Sequence, residues 1–509
     1  MRQNSPHSRK QMHWRGKAIV AAALVALSSS VAADAADQRL RVGSTAFPAS
    51  LDPAVGTSGY DHQFLYLVYD RLIDADPTTG ALVPGLATEW EWVGDGQRTL
   101  RLTIRPDVLF HDGTALDAAA VVASLTHYQT AGVQSELRDV VLIEAVAPNI
   151  VEITLNHIDV TLPIVLSDRP GMIISPTALQ TYGDAYPIHP SGTGPYRVTN
   201  IVSGAEITFD AFAEYWGGTP NLDGIDWQTF AQSTALQNAA RSGQLDIAVQ
   251  IPEADISSLR GNENFDVSIG PSFALSSISL NAALAPFDSA DFRRAVNMAI
   301  NRDDILQAQN NGEGEVATQP YGTQSVYYSE HAAAAAAYNP DAARALVEGA
   351  GLTGTSFTCN FFPGYGSEVS GPLIAENLRD IGITMELRQQ TLAQAISDFR
   401  EGLYPCIITG WTGRLDPSIT FSLIYASTGS SNFGHIDLGV DQMITALQGT
   451  FDRDARIALV QEIVATVADA GPPQIGLLRR QSVDLIGTNV EGYQANVSGK
   501  PDLRSVSLR

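Results

Sequence analysis

Thr358-Cys359-Asn360-Phe361-Phe362, Leu373-Ile374-Ala375-Glu376-Asn377-Leu378-Arg379-Asp380, Ile383-Thr384-Met385-Glu386-Leu387 and Pro405-Cys406-Ile407-Ile408-Thr409-Gly410 follow one another along the chain. The first, third and fourth are short runs rich in apolar, β-branched and aromatic residues, which reads as strand. The second repeats its apolar residues at helical spacing. Strand, helix, strand and strand again is the order of an α/β lobe built on a parallel sheet. Cys359 and Cys406 are the chain's two cysteines, one in the first strand and one in the last. A disulfide and two buried thiols both fit that placement.

The pattern extends outward. Arg98 to Arg105 alternates, with Leu100, Leu102 and Ile104 on one face, as a half-buried strand does. After the turn His111-Asp112-Gly113, Thr114 is placed to cap a helix, with Asp117 three residues on and Val121, Val122, Leu125 and Tyr128 along one face. Val151 to Leu155 is another short strand. Asp288 is read as the cap of a helix carrying Phe292, Ala295, Val296, Ala299 and Ile300, and Asn301 as the cap of the next. Asn339-Pro340 reads as cap and first helical residue, with Gly349 or Gly351 at the end. A last helix spans about Asp454 to Ala470, with Ile457, Val460, Ile463, Val464 and Val467 inward and Pro472-Pro473 after it. The alanine run Ala332 to Ala337 is read as a surface helical turn.

The 509 residues are 44% hydrophobic and 17% charged, the composition of a globular chain of two or three lobes. The net charge of −24 argues against nucleic acid or anionic membrane surfaces as partners. Arg2, Arg9, Lys10, Arg15 and Lys17 precede the apolar run Ala18 to Leu27, and Ala33-Asp34-Ala35 follows. This is the layout of a cleaved secretory signal over residues 1–35, and the apolar run is shorter than the roughly 20 residues of a spanning helix. No cysteine near the cleavage point offers a lipid attachment. A freely soluble protein of the Gram-negative periplasm is therefore expected. Beyond the signal, Lys500 is the last lysine.

Catalytic motifs are scarce. A G-x-S-x-G elbow, a phosphate loop and H-E-x-x-H are all absent, and Gly312-Glu313-Gly314 has no strand in register before it. His62, His111, His127, His157, His189, His331 and His435 show no metal-ligand spacing. The balance favours binding over turnover, without a cofactor or metal.

Several stretches then carry a resemblance. They are Leu51-Asp52-Pro53, Val68-Tyr69-Asp70-Arg71-Leu72, Leu82 to Trp90, Phe110-His111-Asp112-Gly113-Thr114 and Gly192-Thr193-Gly194-Pro195-Tyr196. Tyr215-Trp216-Gly217-Gly218, Gly243-Gln244-Leu245-Asp246, Phe292 to Val296, Ala299-Ile300-Asn301-Arg302, Trp411 and Asp416-Pro417 continue the series. In this order the chain resembles the family 5 extracellular solute-binding proteins, the group that serves dipeptides, oligopeptides, nickel and opines, from about Leu40 to about Tyr493.

The resemblance implies an α/β periplasmic binding protein of type II (cluster C): two lobes joined by two crossing strands, with an extra subdomain in the first. Lobe I is expected at 36–274 plus 478–509, its subdomain near 57–190, and lobe II at 275–477. It implies capture of a small peptide-like or opine-like solute by hinge closure, delivery to the permease subunits of an ABC importer, and a monomer. In peptide-binding relatives a strand at the lobe edge pairs with the ligand backbone, and it maps onto Gly410-Trp411-Thr412-Gly413. Where such relatives often carry an aspartate for the ligand's amino end, this chain has Arg414, whose planar fork suits a carboxylate or phosphate. An ion pair between Arg414 and Asp416 is the competing reading. Thr45, Ala46 and Phe47 after the first strand, and Tyr321 and Phe433 in loops of the second lobe, are further candidates for the cleft. A metal-chelate binder of the same family, a periplasmic peptidase or hydrolase, and a chaperone or sensor component are the alternatives.

Overall fold

The computed structural model describes residues 38–56, 59–94, 96–131, 136–363, 366–496 and 498–509; the expected signal segment lies outside them. Three larger sheets organise these residues, with two further two-stranded ones, Ile73–Ala75 with Leu82–Pro84 and Val490–Glu491 with Ser507–Leu508. The first has seven strands, in the order Phe265–Gly270, Ser482–Gly487, Ile247–Ala248, Arg39–Ser44, Gly224–Thr229, Glu206–Ala211 and Tyr196–Val202. Arg39–Ser44 sits in its middle, parallel to both neighbours, with Leu40 and Val42 fully buried.

The second sheet is antiparallel, with four strands in the order Ala87–Val93, Thr99–Ile104, Ile150–Leu155 and Val140–Ala147. Leu100, Leu102 and Ile104 face its core, as the alternation predicts, and the helix Ala118–Thr130 covers them with Val121, Leu125 and Tyr128. The cap of that helix is Asp117, which accepts from the Ala120 N–H, and not Thr114, whose hydroxyl is taken by Asp112. Ser289, not Asp288, likewise caps Ala290–Ala299. Asn301 and Asn339 cap their helices as expected.

The third sheet holds the segments that open the sequence reading. Its order is Glu315–Val316, Gln474–Arg479, Leu275–Leu280, Cys406–Trp411, Ser356–Phe361 and Thr384–Gln389. The last three are mutually parallel, whereas Leu275–Leu280 is antiparallel to both its neighbours. The sheet is therefore mixed, with the parallel reading holding for one half. Cys359 and Cys406 lie opposite each other in the parallel pair and form a disulfide with a Cα–Cα distance of 4.4 Å. The alanine run is a surface feature on one side only: Ala334 and Ala337 are exposed, whereas Ala332 and Ala336 are buried, and Ala332 packs in a core with Phe421, Ile444 and Val464. Small side chains there let the helix Glu330–Ala335 approach its neighbours closely.

The chain crosses from the seven-stranded to the six-stranded sheet after Gly270 and returns after Arg479. Leu478 and Arg479 still pair with Ser276 and Leu275.

Gly192 and Gly194 owe their identity to close approach. A Cβ at Gly192 would stand 2.2 Å from the Val68 carbonyl oxygen, and one at Gly194 2.6 Å from that of Leu67. Neither has a positive φ. Tyr196 is buried just beyond.

Candidate functional site

The short segment Thr412 to Leu415 leaves the Cys406–Trp411 strand and enters a helix at Pro417. Both ends are fixed. Gly413 has φ +67°, and a Cβ on it would meet Phe273 at 2.3 Å, so only glycine fits. Asp416 caps Pro417–Ile424 by accepting from the Ser418 N–H, and it pairs with Arg456 at 2.6 Å. Arg414 is held between these anchors.

The strand before this segment is not at a sheet edge. It lies between Leu275–Leu280 and Ser356–Phe361, but its ladder to the latter ends at Phe361–Ile408. Thr409 to Trp411 thus extend beyond that neighbour.

Thr412, Gly413, Arg414 and Leu415 face a cavity of about 160 Å³. Ile419 lines it from the same side, and the facing walls come from the first lobe: His62, Tyr66, Arg71, Glu136, Asp168, Arg169 and Lys500 among them. Phe273, from one of the two crossings, also lines it. The cavity lies between the parts of the chain that carry the two large sheets.

Its charges are mostly matched in pairs. Arg71 pairs with Asp74, and Arg169 with the buried Asp61. Lys500 donates to Asp168 at 2.8 Å, and His62 Nε2 stands 2.7 Å from the other Asp168 oxygen. Burial works against the Asp168 charge, but Lys500 and His62 hold its carboxyl well below the usual range. Burial, with Lys500 adding to it, pushes the His62 imidazole down to about 4, so the ring is uncharged at neutral pH. Burial lowers the Lys500 ammonium against the pull of Asp168, and Arg414 and Arg169 push it the same way as burial.

Arg414 differs. Its guanidinium donates to the Gly413 carbonyl at 2.7 Å and to the Thr412 hydroxyl at 3.1 Å, and it lies 5.3 Å from the Trp411 ring centre. No carboxylate among the described residues pairs with it; Asp416, the expected competitor, is committed to Arg456. Arg414 is half-buried and faces Lys500, a like charge.

The other candidates from the sequence lie elsewhere. Gly410 pairs with Ser276 inside the sheet. Trp411 and Tyr321 pack on the core around Phe421, and Phe433 packs on Phe399 with ring centres 4.6 Å apart. Phe47 packs on the core of the seven-stranded sheet, and the Ala46 carbonyl accepts from the Ser44 hydroxyl. Thr45 is exposed at the end of its strand. None of these lines the cavity. Sequence reasoning did not nominate His62, Arg71, Asp168, Arg169 or Lys500. The available signals were the isolation of Lys500 as the last lysine and the place of Arg71 in a quoted motif.

Residues 81–433 match the profile of the bacterial extracellular solute-binding proteins, family 5, over its middle region. The chain belongs to that family. This family 5 chain is 27% identical over 505 residues to the glutathione-binding protein GsiB of Pectobacterium atrosepticum, covering 95% of this chain and 96% of the relative. It is 26% identical to the di/tripeptide-binding protein 2 of Pseudomonas aeruginosa, covering 95% and 98%. Among solved structures, the agropinic acid complex of AgaA from Agrobacterium (A. tumefaciens R10) superposes with a TM-score of 0.81 at 21% identity, covering 92% of this chain and 99% of that one. The peptide complex of DppA from Helicobacter pylori gives a TM-score of 0.81 at 20% identity, covering 92% and 98%. These likenesses establish the type II, cluster C periplasmic binding fold. The family consists of solute-binding proteins and not of enzymes. Among the described residues no helix is long and apolar enough to cross a membrane.

Proposed function

We propose that this chain is the periplasmic substrate-binding component of an ABC importer, and that it closes around a small peptide-like or opine-like solute whose anionic group is taken by Arg414. The observation that carries this is the half-buried Arg414 lining the cavity without a carboxylate partner. A guanidinium offers a planar fork to a carboxylate, and the like charge of Lys500 makes an anion between the two more favourable still. Thr412 and Gly413 shape the wall beside it, and the overhanging end of their strand leaves room for a ligand backbone.

The family supports the remaining elements of the reading. The permease subunits of the importer are the partners, the protein acts as a monomer, and residues 1–35 direct export. The two crossings support lobe boundaries near 274 and 480. Solute that contacts both lobes binds the closed form better and so shifts the population toward it.

The test is a thermal-shift screen of the protein stripped of ligand by unfolding and refolding. Peptides, opines, acidic sugar derivatives and metal chelates form the panel. A ligand present at about 1,000 times its Kd adds about 4 kcal/mol of stability. Hits among carboxylated compounds, lost in Arg414→Ala, support the reading. Hits confined to metal chelates would replace it with the chelate-binding alternative, and product formation from a peptide would replace it with a hydrolase.

A further inference from the structure

We propose that Glu136 receives a cationic group of the bound solute, so that the site selects zwitterions with an ammonium and a carboxylate. This rests on the reading of the cavity as the solute site.

Of the charged side chains lining the cavity, Arg71, Arg169 and Lys500 are paired with Asp74, Asp61 and Asp168. Asp76 closes its own turn, accepting from the N–H groups of Thr78 and Thr79 and from the Thr79 hydroxyl. Two charges are left, Arg414 and Glu136, and they are of opposite sign. Glu136 Oε2 is shut off from solvent and has no hydrogen-bond partner among the described residues. No cation among the described residues lies within ion-pair distance of it. The Tyr128 hydroxyl is nearby but also lacks a hydrogen bond of normal geometry.

A buried carboxylate oxygen without a donor is unfavourable, so something in the functional state supplies one. An ammonium brings three N–H donors and the opposite charge. Placement adds to the case. Glu136 lies between the helix Ala118–Thr130 and the strand Val140–Ala147 of the four-stranded subdomain, whereas Arg414 follows a strand of the six-stranded sheet. A solute with both charges would therefore tie together the two sides of the cleft. An anion alone reaches Arg414 and Lys500 but leaves Glu136 Oε2 without a donor, which makes zwitterions the better closing ligands.

The experiment is isothermal titration of the ligand-stripped protein with free di- and tripeptides, the same peptides acetylated at the amino end, and the same peptides amidated at the carboxyl end. Wild type, Glu136→Gln and Arg414→Ala are compared. Acetylation is expected to weaken binding to wild type at least tenfold. Glu136→Gln should bind free peptides at least tenfold more weakly than wild type and be indifferent to acetylation. Amidation should be felt by wild type and by Glu136→Gln but not by Arg414→Ala. Equal binding of free and acetylated peptides by wild type would overturn the proposal without use of a variant. So would unchanged affinity in Glu136→Gln. Binding of no peptide by wild type would overturn the peptide-like reading and this proposal with it, a result distinct from a wild type that binds while Glu136→Gln is unchanged.

Discussion

Asp70 and Arg414 are both charged groups withdrawn from bulk water, and the protein serves them in opposite ways. Asp70 is fully enclosed. It accepts from the Trp216 indole at 2.6 Å, the Tyr215 hydroxyl at 3.1 Å and the Thr193 hydroxyl at 3.2 Å, with Arg504 at 3.8 Å. Arg414 reaches only its own loop and faces a cavity. Asp70 and its three hydrogen-bond donors come from the very motifs that make the sequence recognisable, Val68 to Leu72, Gly192 to Tyr196 and Tyr215 to Gly218, with Arg504 outside them. Those motifs therefore hold the first lobe together, while Arg414 is left facing the cavity. Fully satisfied polar groups make architecture; the cation without a carboxylate partner among the described residues is the group we propose as the site.

The sharpest way to break this contrast is to truncate each group. Asp70→Ala leaves the indole and two hydroxyls without their acceptor, and we expect a loss of about 3–5 kcal/mol in denaturant unfolding. A loss below 1 kcal/mol would show that the cluster is not architectural. Arg414→Ala should move stability by no more than about 0.5 kcal/mol, the scale of a surface change.

A second framework element is the Cys359–Cys406 bridge. Replacing both cysteines by alanine should cost about 2–4 kcal/mol, as for other native disulfides, with ligand affinity of the folded fraction unchanged. Equal melting of the variant and the oxidised wild type would contradict this.

The two regions also differ in their response to pH. Burial pushes the His62 imidazole down to about 4, so between pH 6.5 and 4 the unfolded chain takes up a proton that the folded chain refuses, and stability falls on acidification. Asp70 has the opposite sign. Burial, opposed by Arg504, pushes its carboxyl up to about 6, so over the window from about 4 to 6 the folded state holds the proton more tightly and acid favours folding. His62→Gln should remove about 2–3 kcal/mol of the acid loss. A pH–stability profile identical to wild type would show that His62 is not held neutral.

The smallest effect concerns closure. Far from the crossings, the Val160 N–H donates to the Gln448 carbonyl at 2.8 Å, and the Trp92 and Phe451 rings meet edge to face at 6.2 Å. Phe451→Ala should weaken ligand binding two- to fivefold through faster release, on the order of 0.5–1 kcal/mol for an aromatic pair. An unchanged dissociation rate would show that this contact does not favour the closed form.

Much of the scaffold was legible because its signals are local. The alternation at Leu100, Leu102 and Ile104 needs only a period, and Asn301 and Asn339 announce their helices by the oxygen that an N-cap requires. Thr114 and Asp288 misled because another oxygen-bearing residue stands close by, Asp117 or Ser289, and only the backbone angles choose between them. The alanine run gave no sign of burial, since Ala332 is as small on a surface as in a core. The site was less legible. Arg414 could be found because the fold's logic places its loop at the cleft. Tyr321 and Phe433 could not be sorted, because an aromatic residue in a loop carries no mark of the direction it faces. Glu136 and Lys500 come from segments far apart in the chain, and only the fold brings them to one cavity.

The measurement that bears most directly on the account is the Kd of one carboxylated ligand for wild type and for Arg414→Ala, by titration calorimetry on folded protein. The account predicts a loss of more than tenfold, about 1.5–3 kcal/mol, as for a hydrogen bond to a charged group, with the melting temperature of the unliganded protein unchanged. An unchanged Kd would contradict it and leave the cavity's anion site without its central residue.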